Sequence, residues 1–168
     1  MIEFSFTLRD NPPPPSGFDL GDMEVTGSSG RASSRGHDRD QGMMIHLSVA
    51  GLLDGLRSLL ERGSGTVEFV AADSSFALRF TLRRGVVTTR YGKAVIDVSP
   101  AAEVAAAAYS AAASFASREL PRLPADDAGR QDLEEALSAF APLVPPSSRR
   151  PDEDGGAGGT LDGGNSEP

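Results

Sequence analysis

Phe76–Arg83 alternates without interruption, with Phe76, Leu78, Phe80 and Leu82 on one side and Ala77, Arg79, Thr81 and Arg83 on the other. A side-chain period of two belongs to a strand, so this segment has one greasy and one polar face. Its neighbours extend the pattern. Thr66–Ala72 is a strand that reaches it through the turn Asp73-Ser74-Ser75. Arg84-Gly85 makes a tight turn into Val86–Tyr91, which resumes through Ala94–Val98 after a bulge at Gly92. A three-strand antiparallel meander must cover its apolar face with other elements, and that requirement constrains the rest of the chain.

Two helices follow the meander. Ser99-Pro100 is a helix start, and the Ala-rich segment 101–120 predicts a helix that packs closely, with Val104, Ala108, Ala111 and Phe115 as its buried stripe and Tyr109 towards the edge. Pro121 and Pro124 end it. Asp126 or Asp127 opens a last helix with the apolar face Leu133, Ala136, Leu137 and Phe140.

Before the meander, Ile2–Arg9 alternates as a half-buried strand until Asn11 and the prolines 12–15 stop it, since four prolines supply no amide donors. Asp22–Thr26 is a short strand. Gly27–Gly42, rich in Ser, Gly, Arg and Asp, reads as a mobile loop or a polar edge hairpin, and its composition favours the flexible insertion. Met43, Ile45, Leu47 and Val49 form one face of another strand, with His46 on the opposite face. Ser48 caps a helix carrying Leu52, Leu53, Leu56, Leu59 and Leu60, and Gly63 supplies its left-handed stop. The sequence therefore predicts one α+β domain over residues 1–144, with a flexible polar insertion at about 27–42 and a disordered Pro/Gly/acidic tail over 145–168. The expected architecture is a mostly antiparallel sheet of about five or six strands. One helix lies between strands, and two C-terminal helices pack on one face.

Composition narrows the chemistry. Without cysteine there is no disulfide, thiolate metal site or Cys nucleophile, and with only His37 and His46 there is no His-rich zinc cage. Sixteen basic against 24 acidic residues give a net charge of −8, a field that repels nucleic-acid phosphates and anionic lipid. Apolar runs fall far short of the roughly 18 residues a bilayer span needs, and residues 1–10 lack the pattern of a secretory signal. The expectation is a cytoplasmic protein with no nucleic-acid or membrane partner.

No motif supplies catalysis. Gly85–Lys93 superficially matches a phosphate-binding loop, but six residues separate the glycines and Ala94 stands where a magnesium-binding hydroxyl belongs. Gly155–Asp162 resembles one calcium-binding nonapeptide unit, and a single copy cannot complete an ion cage. Gly36-His37-Asp38-Arg39-Asp40 brings a His to carboxylates without rigid support. Catalytic, cofactor and metal residues are expected to be none.

One asymmetry stands out. Ser74–Ile96 contains no acidic residue but holds Arg79, Arg83, Arg84, Arg90 and Lys93. Strand parity puts Arg79 and Arg83, and in a suitable register Arg90, on the polar face, where guanidinium groups can grip carboxylates bidentately. Three uses fit: a solvated face, a face neutralised internally by the acidic last helix, or a partner-binding surface.

Over about residues 43–120, the Leu-rich helix Val49–Leu60 and the Phe76–Ile96 meander followed by an Ala-rich helix resemble the small uncharacterised α+β proteins of high-GC bacteria. Some of those look like immunity proteins of toxin loci. The resemblance implies a non-enzymatic module that binds a partner protein, and it carries over no functional residue. Two other classes fit the same chain: an accessory or structural component, phage- or secretion-related, and an enzyme with no recognisable motif.

Overall fold

The computed structural model describes residues 1–146; the predicted tail beyond Pro146, with the glycine-rich unit 155–162, lies outside the described residues. Eight strands divide between two sheets of four. The first contains β1 (Glu3–Leu8), β2 (Leu20–Thr26), β3 (Arg31–Ser33) and β4 (Met43–Met44), with β1, β3 and β4 all antiparallel to β2. Helix α1 (Ile45–Arg62) leads to the second sheet, β5 (Gly65–Val70), β6 (Ala77–Arg83), β7 (Val86–Tyr91) and β8 (Ala94–Pro100), in sequential antiparallel order. Helices α2 (Ala101–Glu119) and α3 (Ala128–Phe140) complete the α+β domain.

The alternation in β6 is realised directly: Leu78, Phe80 and Leu82 are buried, while Arg79 and Arg83 are exposed. At the β6–β7 turn, Arg84 and Gly85 both have positive φ (49° and 76°), the backbone twist that matches paired antiparallel strands. Ala94–Pro100 does not continue β7 past a bulge. It folds back at Gly92-Lys93 as a fourth strand, and the irregularity falls between Thr89 and Arg90, leaving Ile96 without a Cα partner.

One apolar core serves both sheets. Helix α1 contacts β1, β2, β5 and β6, α2 contacts β1, β7 and β8, and α3 packs on α1 and α2. The sheets join through the Ser29 amide donating to the Ile96 carbonyl (2.9 Å) and the Met44 amide donating to the Ala72 carbonyl (3.0 Å). In α2 the buried stripe is Val104, Ala105, Ala108, Ala112, Phe115 and Ala116, so Ala111 sits one position off the face expected of it. The α3 face is as read: Leu133, Ala136 and Phe140 are buried, Leu137 is half-buried, and Asp127 caps the helix by accepting from the Arg130 amide (2.9 Å).

Two expectations are corrected here. The strand expected over 43–49 ends at Met44, and α1 begins at Ile45. Ile45, Val49, Leu52, Leu53, Leu56 and Leu59 are buried at helical spacing, and a period of 3.6 shares its first positions with a period of two. Ser48 is consequently inside the helix, accepting from the Ala72 amide (2.9 Å), and His46 is buried instead of lying on a sheet surface. The second correction concerns residues 27–42. They carry β3, which is the edge-hairpin alternative. Their polar side chains serve two buried carboxylates. The Ser34 hydroxyl (2.7 Å) and the Arg35 guanidinium (3.1 Å) reach Asp22, and the Ser28 amide and hydroxyl (both 3.0 Å) donate to Asp97. A composition typical of disorder here supplies hydrogen bonds to groups that cannot be buried without them.

Candidate protein-binding face

Pairing within β5–β8 sets which side chains share the outward face. Glu68, Arg79 and Arg90 lie in one cross-strand row, Thr66, Thr81, Thr88 and Val98 in the next, and Arg83, Val86 and Pro100 in a third. The structure therefore places all three predicted arginines on one face, with Arg79 and Arg90 as direct Cα partners and Arg83 two rows away. Arg79 and Arg83 are four residues apart on one strand, about 13 Å. Arg84 and Lys93 occupy the turns at opposite ends of β7.

Like charges placed directly opposite on a sheet repel. Arg79 meets the carboxylate of Glu68 at 3.4 Å, with both side chains more than half exposed, and Arg90 donates to the Lys93 carbonyl at 3.3 Å. These are long, solvated contacts that stabilise little. The acidic helix does not neutralise the face, because α3 packs on α1 and α2 on the far side of the core. Exposed valines share this face: Val98 ends the threonine row between Arg79 and Arg83, Val86 is opposite Arg83, and Val70 lies beyond Arg79, at 52%, 38% and 59% exposure. The sequence reading missed these valines and the Glu68 partner. Extending the hairpin register back to β5 would have found Glu68, and the parity of β8 was hidden by the bulge beside Thr89.

The other charge clusters are closed. Asp22, buried, receives Arg9 through two bonds of 2.9 Å in addition to Ser34 and Arg35, and Arg9 makes a second bidentate pair with Asp40, again 2.9 Å each. Burial pushes the Asp22 carboxyl up, but these donors more than offset it and hold it below its ordinary value. Arg9 is correspondingly held protonated by its hydrogen bonds to Asp22 and Asp40, and Asp40 is lowered to about 2, chiefly by Arg9. Asp97, fully buried, behaves like Asp22: burial opposes ionisation, and the Ser28 amide with the Ser99 and Ser28 hydroxyls outweighs it. His37 does not join Asp38 and Asp40 in a proton-transfer arrangement; its Nε2 bonds the Ser33 carbonyl (2.7 Å) and its ring lies near Tyr91.

Two concavities accompany these features. A cleft of about 500 Å³ lies under the proline segment, with Arg118 and Arg122 balanced by Asp10, Asp19 and Glu119. A groove of about 430 Å³ runs between α1 and α3 over Ala50, Gly51, Ala136 and Ala139, lined by Asp54, Asp132, Glu135 and Arg57. Among the described residues no His, Asp and Glu grouping could hold a metal ion, and no helix is long and apolar enough to cross a membrane. Comparison with protein-family models, curated proteins and solved structures found no match to this chain.

Proposed function

We propose that the chain is a non-enzymatic, cytoplasmic protein-binding module of the immunity type, which grips an acidic surface of a partner protein with the outward face of β5–β8. The observation that carries this reading is the sheet face, exposed among the described residues, on which Arg79 and Arg90 oppose each other and Arg83 lies two rows away over valine and threonine. Setting like charges opposite one another costs stability that, among the described residues, the long contact to Glu68 offsets only in part, and a partner's carboxylates would offset the rest through bidentate bonds. Val98, in the row between Arg79 and Arg83, would add dehydrated contact within such an interface. Nucleic acid and membrane are not partners in this reading, because the net charge of −8 opposes both. No cofactor takes part.

A second reading draws on the groove between α1 and α3, whose Asp54, Asp132 and Glu135 would suit a basic partner such as a nuclease. One experiment separates the two. The intact chain and a variant carrying Arg79→Glu, Arg83→Glu and Arg90→Glu are used as bait at low salt, and retained proteins are identified by mass spectrometry. The sheet-face reading expects a partner held by the intact chain and lost by the variant. A partner held equally by both overturns it in favour of the groove, and recovery by neither contradicts a binding role.

A further inference from the structure

His46 is the second residue of α1 and is 1% exposed, yet neither ring nitrogen has a hydrogen-bond partner among the described residues. A neutral imidazole carries one donor and one acceptor, so both are left unsatisfied among apolar neighbours, including the Phe115 ring at 5.2 Å. The charged groups acting on it come from three elements: Asp19 before β2, Glu119 at the end of α2 and Asp127 at the start of α3. Two cations on that side are engaged elsewhere, Arg130 by the Leu120 and Leu123 carbonyls and Glu134, and Arg122 by Glu119.

These elements meet through a small number of bonds. The Asp127 carboxylate accepts from the Gly17 amide (3.0 Å) and the Arg130 amide (2.9 Å), and the Asp19 carbonyl accepts from the Ile45 amide (3.2 Å). Gly17 also lies directly on Gly129, where a Cβ on Gly17 would stand 2.7 Å from the Gly129 Cα. All three carboxylates are already engaged, Asp19 by the Ser16 amide (3.1 Å) and Glu119 by Arg122 (3.1 Å).

A protonated ring has two donors and no acceptor, and it would sit in apolar surroundings in the first turn of α1, whose N-terminus already carries positive partial charge. It can gain a carboxylate or water only if one of the existing bonds gives way. We infer that His46 is an acid-sensitive latch, whose protonation releases the segment 16–19 from the start of α3 and opens that end of the molecule while both sheets stay folded.

Burial holds the imidazole below its ordinary value against the pull of Asp19, Asp127 and Glu119. The closed form is therefore the unprotonated one. Below about pH 6.5 the opening equilibrium rises by up to about tenfold per pH unit, until the ring also protonates in the closed form.

The test is residue-resolved amide exchange on the full chain at pH 7.5 and 5.5, corrected for intrinsic rates, with wild type beside His46→Leu and His46→Gln. The expected result is a threefold to tenfold loss of protection at Gly17 and Arg130 in wild type, unchanged protection across β6 and β7, and no pH-dependent loss in the variants. Equal loss in wild type and variants, or none in wild type, overturns the latch. Should neither variant fold, the His46 ring is titrated in wild type by NMR. A Gly17 amide that shifts with the ring supports the inference, and one that stays fixed contradicts it.

Discussion

In the sheet β1–β4, Asp22 is buried and receives Arg9, Arg35 and Ser34, whereas in the sheet β5–β8, Arg79 and Arg83 stand in solvent and Arg90 is half-buried, with Glu68 as the carboxylate beside Arg79. The same residue types do different work. Around Asp22 each donor satisfies a group that folding has taken out of water, so the cluster belongs to the architecture. On the outer face the guanidinium groups lean on one half-exposed carboxylate and a backbone carbonyl, and the fold would stand without them. Charges that the fold does not need, placed where they repel one another, are the ones on which the proposed binding role draws.

The comparison breaks first at Asp22. Replacing it with Ala removes the acceptor shared by Arg9, Arg35 and Ser34 and leaves the buried Ser34 hydroxyl unpaired, which is expected to cost about 2–3 kcal/mol in urea unfolding; a loss under about 1 kcal/mol would show that the cluster is not structural. Acid attacks the same groups with a definite sign. Asp22, Asp97 and Asp127 all lie below their ordinary values in the fold. Their contribution is therefore present above an unfolded pKa of about 4 and is lost as pH falls through the folded values. A urea midpoint followed against pH should decline steeply below about pH 4, and Asp22→Asn should flatten that decline; an unchanged slope would remove Asp22 from the account.

A smaller effect is expected at the α3 cap. Asp127→Ala removes both the acceptor for the Arg130 amide and the clamp on Gly17, and should cost about 1–2 kcal/mol by the same unfolding measurement. The smallest belongs to the outer face. Arg79→Thr should leave stability within about 0.5 kcal/mol of wild type, because relief of the Arg90 repulsion offsets the loss of Glu68. A loss above about 1 kcal/mol would place Arg79 with Asp22 among structural residues and dissolve the contrast between the sheets.

How far these features can be read without coordinates depends on the range of the interactions. Period-two alternation and the Arg84-Gly85 turn are local, so β6, β7 and the outward placement of Arg79 and Arg83 follow from the residues alone. Arg90 needed the pairing register, and the bulge near Thr89 concealed that Ala94–Pro100 is a separate strand. Within residues 27–42, Ser28, Ser34 and Arg35 bond Asp97 and Asp22, partners far away in sequence that no local pattern displays. At Met43–Val49 the strand and helix periods coincide for two or three positions, and tertiary packing decided between them. His46 lost its surface position with that change of period.

The most direct test of the central claim is a photo-crosslinking residue placed either at Thr88, in the middle of the β5–β8 face, or at Asp132, in the groove on the opposite side of the core. The account predicts a covalent adduct with one acidic protein from position 88, abolished by high salt during capture, and none from position 132. An adduct from position 132 alone would contradict it.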